Sequence, residues 1–177
     1  MDLRVQRTRR SIVNAFIALR AKKPLNKITV KELAELAFIN KATFYTHYKD
    51  IYDLSEQLED EAIEQVLNAV SHTEYLITQP EAWVYELSMT IRSQNQLFSI
   101  LFSPPRDNIL IDRLEDKLRS RIHQMYPEFK GDLQKELLIT VMIQGCFRAF
   151  LKHNDKDYDA MVQIIGDFNK CLISHCL

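Results

Sequence analysis

Residues 29–49, TVKELAELAFINKATFYTHYK, hold two helical patterns with too few residues between them for anything but a tight turn. No other stretch constrains the fold as much. Thr29 and Glu32 have the spacing of a capping box, in which the threonine hydroxyl accepts from the amide of Glu32 and the glutamate returns to the amide of Thr29. A helix is therefore predicted from Val30. Val30, Leu33, Ala34 and Ala37 recur at i, i+3, i+4 and i+7 as one apolar stripe, with Lys31, Glu32 and Glu35 off it. Asn40 is a suitable N-cap for a second helix over residues 41–48. Only Ala42 and Phe44 are plainly apolar there, so most of that helix faces something polar. Lys41, Thr43, Tyr45, Thr46, His47 and Tyr48 suit phosphate oxygens and base edges in a major groove, and the small Ala42 permits close approach. The alternative is a solvated amphipathic hairpin with a few surface tyrosines.

The rest of the chain points the same way in fold class. Three glycines in 177 residues signal few turns and favour long helices over many short strands. An all-α fold is predicted. Hydrophobic residues at 46% and charged residues at 27% are ordinary for a globular chain. No apolar run is long enough to cross a bilayer, and MDLRVQRTRR is charged with no signal-peptide core after it, so a cytoplasmic protein is expected. Cys146, Cys171 and Cys176 lack a paired motif and read as reduced thiols. Cys171 and His175 are an i, i+4 pair, but further ligands are not evident nearby, and no metal site is expected.

Charge is sorted along the chain. Residues 1–49 carry eleven basic and three acidic side chains, a charge of +8, which leaves −9 for the remainder. A polyanion would be drawn to the first part and repelled by the second. Residues 4–21 form an amphipathic first helix through Ile12, Ala15, Phe16 and Leu19, and Lys22-Lys23-Pro24 ends it. Its leading Arg7, Arg9 and Arg10 read either as an arm reaching DNA or as a frayed, solubilising terminus. Asp50 opens a longer helix whose apolar positions are Ile51, Leu54, Leu58, Ala62, Val66 and Ala69. Pro80 starts another, Pro104-Pro105 is the firmest break, and residues 108–126 form a further amphipathic helix. The segments 132–152 and 157–177 are apolar on most sides, which favours a homodimer that covers them in a four-helix interface.

The run TFYTHYKD at residues 43–50, with ITVKELAELA before the turn, resembles the DNA-binding domain of TetR-family transcriptional regulators. The resemblance covers the first third of the chain. It departs from the family at Phe38 and Ala42, where glycines are usual, and at Ile51, where a lysine is usual. It implies a helix-turn-helix DNA-binding domain at 1–49, whose second helix and its neighbours meet double-stranded DNA, and a helical regulatory and dimerisation domain at 50–177. Base-edge contact would fall to Lys41, Ala42, Thr43 and Tyr45, and phosphate contact to Thr29, His47, Tyr48 and Lys49, with Leu33 and Phe44 in the core. The helix after Asp50 would pass on ligand-induced motion. By analogy a small-molecule pocket would lie within residues 80–152, with Trp83, Met89, Phe98, Phe102, Tyr126 and Phe147 as lining candidates. The expected protein is a dimeric repressor of a palindromic operator that an effector releases, without a cofactor. A co-activator whose second domain binds a protein partner is the alternative. An enzyme is not expected, because no phosphate-cradling glycine loop, nucleophile elbow or paired metal-ligand motif occurs.

Overall fold

The structure is a computed structural model that describes residues 3–70, 72–102, 107–153 and 157–177. Among these residues there are helices and no strands, so the fold is all-α. No helix among them is long and apolar enough to cross a membrane. The Pro104-Pro105 break lies outside the described residues. The chain divides into two compact units, one of residues 1–62 with 96–103 and one of residues 63–95 with 104–177.

The first unit begins with α1, Leu3–Arg20, and a short 3-10 turn at Leu25–Lys27. Two short helices follow, α2 (Val30–Leu36) and α3 (Lys41–Tyr45). α4 spans Ile51–Ala69, and its residues up to Ala62 belong to this unit. α1 packs on α2, and α2 on α3. Ile12, Phe16, Leu33, Phe44 and Leu54 are shut off from solvent, which is what the apolar stripes of these helices require. α1 starts at Leu3, so Arg7, Arg9 and Arg10 sit on a helix and not on a loose arm. Arg9 pairs with Glu61 of α4, and this partner raises its pKa above the ordinary arginine value.

In the second unit, α5 (Tyr75–Thr78), α6 (Pro80–Ser93) and α8 (Asp107–Met125) are followed by α9 (Leu133–Thr140), α10 (Cys146–Lys152) and α11 (Tyr158–Cys176). α7, Asn95–Leu101, lies almost wholly in the first unit. The helix expected over 132–152 runs unbroken, but Val141–Gly145 is wound as a π-turn between α9 and α10. Asp132 caps it, accepting from the amides of Gln134 at 3.0 Å and Lys135 at 3.2 Å. Asp157 caps α11 through the amide of Ala160 at 3.2 Å. The longest packing is of α11 on α6, where Gly166 comes so close to Glu81 that an added Cβ would stand 2.9 Å from its Cα.

Polar contacts tie α8 to its neighbours. Arg119 pairs with Glu115 and Glu136 and donates to Thr140 Oγ1 at 2.7 Å, while Thr140 and Gln144 each donate to Glu115 at 2.8 Å. Lys117 Nζ donates to Glu64 at 2.8 Å, and Arg121 to the same carboxylate at 3.0 Å and to Leu67 O at 2.9 Å.

Candidate functional site

α2 and α3 are held by local capping that their own residues supply. The amide of Glu32 donates to Thr29 Oγ1 at 3.2 Å, one arm of the expected box; the Glu32 carboxylate turns instead to Lys23, which lies across the connection from α1. A cationic partner draws the carboxylate more strongly than a backbone amide does. Asn40 Oδ1 accepts from the amide of Thr43 at 2.7 Å and from its hydroxyl at 2.9 Å, so one side chain closes the first turn of α3 and fixes the Thr43 rotamer.

The helix expected over 41–48 is shorter than that. α3 ends at Tyr45, and Thr46 is its C-cap. The amide of His47 reaches only three residues back, to Phe44 O at 2.9 Å, a tightened last turn, and the Thr46 hydroxyl donates to Thr43 O at 2.7 Å. Beyond it the amide of Lys49 donates to the Asp53 carboxylate at 2.8 Å, and Asp50 Oδ1 takes the amides of Tyr52 and Asp53 at 2.8 Å each. The Lys49 amide, with Gln57 beside it, holds the Asp53 carboxyl below its ordinary pKa. A new N-terminus therefore follows α3 at once, and the chain cannot continue the first helix.

Across α3 the side chains separate by helical position. Lys41, Ala42, Tyr45 and Thr46 are exposed, at i, i+1, i+4 and i+5, while Phe44 is wholly buried. Tyr45 is 56% exposed and meets Phe44 edge-on at 5.5 Å, which stiffens the ring without hiding it. Thr43 and His47 are half-buried, and Thr29 and Lys49 are exposed. Tyr48 is different. It is only 3% exposed, and its buried hydroxyl makes no hydrogen bond of good geometry. Burial raises its pKa above the ordinary tyrosine value, against the nearby Arg9 guanidinium, which acts to lower it. The Tyr48 ring, 5.8 Å from that of Phe44, supports α3 from below, and its hydroxyl has no access to a phosphate in this arrangement.

The second unit contains an apolar cavity of about 40 Å³. Trp83 and Phe147, two of the six aromatic and methionine candidates, line it. Met89 and Tyr126 do not, and Phe98 and Phe102 belong to the first unit. The remaining wall is Leu76, Val84, Leu87 and Ile91 facing Met142, Ile143, Phe150 and Ile165. Its polar members are Ser88, Cys146 and Asn169; the Cys146 thiol donates to Asn169 Oδ1 at 3.0 Å, and burial pushes its pKa up to about 11. Cys146 thus points inward, whereas Gly145 is exposed. The aliphatic lining carried no signal apart from any core residue. The π-turn at Val141–Gly145, of a kind that functional sites often contain, is seen only in the structure.

On the outside of the same unit, Leu133 and Leu137 of α9, Val141, and Ile164 and Phe168 of α11 are exposed, Leu133 by 73% and Phe168 by 64%. α9 and α11 pack on each other. Among the described residues no three His, Cys, Asp or Glu side chains come together as a metal would need. The chain matches no protein-family model, and no curated protein matches it significantly.

Proposed function

We propose that this chain is a TetR-like transcriptional regulator in which α2 and α3 form a helix-turn-helix that lays the outer side of α3 in the major groove of duplex DNA. The observation that carries the reading is the outer surface of α3: Lys41, Ala42, Tyr45 and Thr46 stand out on a helix fixed by Asn40 and Phe44, within a segment of charge +8. Lysine, hydroxyls and a small residue on a rigid, short helix are what base edges and phosphates ask for. Lys41, Ala42, Thr43 and Tyr45 take the base edges; Thr29, His47 and Lys49 take phosphates, with Tyr48 withdrawn to a supporting role. Two copies paired through α9, α10 and α11 would read a two-fold symmetric operator.

The test is to select duplexes from a random pool and compare Tyr45→Ala with the parent chain. Binding is expected to fall by about tenfold or more with the melting temperature unchanged, because the Tyr45 ring stands mostly in solvent. A well-folded Tyr45→Ala protein of undiminished affinity would remove α3 from the interface.

For regulation, two readings divide on the cavity. An effector bound in this cavity would have to open it, since 40 Å³ holds little more than water and metabolite pockets are roughly 300–1,000 Å³, whereas a more polar groove of about 450 Å³ between Ile77, Pro80, Glu81, Lys170 and Ile173 has room as it stands. For this cavity taken alone, the small volume suits the second reading, a co-activator whose helical body binds a protein. Calorimetry against a metabolite library, with Trp83→Ala as the control, separates them.

A further inference from the structure

α2 ends in a left-handed closure that ordinarily calls for glycine. The amide of Phe38 donates to Glu35 O at 3.2 Å and that of Ile39 to Ala34 O at 3.0 Å, the paired bonds of a Schellman end, and Phe38 sits at φ 55°. Glycine enters that region without strain, whereas a side chain there crowds its own carbonyl. Phe38 is nevertheless an aromatic residue, and it is 94% exposed. The ring fills no part of the core. It burdens the isolated fold twice, through backbone strain and through bare apolar surface, and packing gives nothing back.

Its position limits what can cover it. Three peptide units separate Phe38 from Lys41, so their Cα atoms lie within about 10 Å. A single DNA-binding module buries roughly 600–1,000 Å², a disc about 15 Å in radius. Residue 38 therefore lies within reach of a footprint centred on the outer side of α3. The surroundings favour a polyanion, because Lys41 and Lys49 are exposed while the acids nearest in sequence, Glu32 and Glu35, are paired with Lys23 and Lys31.

Resting on the duplex-binding reading above, we infer that Phe38 is a specificity-determining residue whose ring lies against the C5-methyl group of a thymine, next to the bases reached from α3. An apolar ring and a thymine methyl are complementary in the major groove. The ring bears no charge and displaces no counterion, so its contribution depends on sequence and not on salt.

The experiment uses the full chain and duplexes selected from a random pool by the parent protein. Phe38→Gly should melt no lower than the parent and bind the selected duplexes more weakly, by about fourfold per half-site and fifteenfold for two on the scale of a buried methyl. The salt slope should stay the same. Phe38→Tyr, which keeps the ring, should retain affinity. Deoxyuridine in place of the thymine at one symmetric position should weaken the parent and leave Phe38→Gly unaffected. Equal affinity of Phe38→Gly and parent, a Phe38→Gly protein that melts lower, or equal sensitivity of both to deoxyuridine would overturn the contact; in the first case the ring would be left to a protein partner. A parent chain that binds no duplex at low salt would instead overturn the reading on which the contact rests.

Discussion

Asn40 closes the first turn of α3. A five-residue helix has almost no intrinsic stability, and its first turn contains amides without intrahelical partners. Asn40 takes the Thr43 amide and, with the same oxygen, the Thr43 hydroxyl. Asn40→Ala is expected to cost about 1 kcal/mol of stability by chemical denaturation, while Asn40→Asp, which keeps the acceptor, should cost much less. Caps of this kind are legible in sequence because donor and acceptor lie three residues apart. Thr29, Asn40, Asp50 and Asp132 are found capping where their type and position suggest, whereas type alone does not choose between Asp157 and Asp159, of which Asp157 is the cap. Tyr48 is not legible in that way. Its type and place suit a phosphate contact, and only the packing around Phe44 and the approach of Arg9 turn it inward. Phe38 gives no sign of positive φ by its own type, and only the glycine usual at that position in the family it resembles points to one.

Helices were readable where apolar positions recur, and least readable where two of them meet. The stripe through Ile51, Leu54, Leu58, Ala62, Val66 and Ala69 gives α4 as one helix; the first five are buried, and Ala69, its last residue, is exposed. By contrast, nothing local shows that residues 96–103 join the first unit, or which sides of α6 and α11 line the cavity. Those depend on crossing geometry, for which Gly166 is decisive. Alanine there gains helical propensity of roughly 1 kcal/mol, but its Cβ would stand 2.9 Å from Glu81 Cα, a backbone atom that moves only with α6. Overpacking of this kind costs about 1–3 kcal/mol, so Gly166→Ala should lower the melting temperature where an unencumbered helical glycine would raise it. The links from α8 make a second expectation. Burial would raise the pKa of Glu115, but donors from Gln144, Thr140 and Arg119 outweigh it and hold the carboxyl below its ordinary 4.5. Glu136 is lowered too, its burial offset by the Gly131 amide, His123 and Arg119. A carboxyl depressed by folding contributes stability that is complete above its unfolded pKa and is lost as pH falls through the folded value. Melting followed from about pH 6 to pH 3 should therefore show an acid loss that Glu115→Gln makes shallower, with the variant less stable at neutral pH.

At the scale of the whole molecule, one unsatisfied feature among the described residues is the outward apolar surface of the second unit. Leu133 and Leu137 lie on α9, Ile164 and Phe168 on α11, which packs on it, and Val141 in the π-turn that follows α9; single exposed apolar residues are ordinary, but five on adjoining elements are not. A second copy is the occupant we propose, because two-fold pairing brings the same surface to itself and completes a four-helix contact. Charge bears on the same point. With +8 in residues 1–49 and −9 elsewhere, like parts of two chains repel, so a pairing of the bodies has to come from apolar contact that outweighs their mutual charge. Leu137→Glu with Phe168→Glu places charge in the middle of that surface without disturbing any buried residue. The variant is expected to sediment as a monomer with unchanged helical content where the parent sediments as a dimer. Its affinity for a selected symmetric duplex should fall by roughly a hundredfold or more, since the second half-site no longer binds as an intramolecular step, while affinity for an isolated half-site stays the same. A parent chain that is monomeric at micromolar concentration would instead assign the surface to a different protein, and with it the co-activator reading would gain what the repressor reading lost.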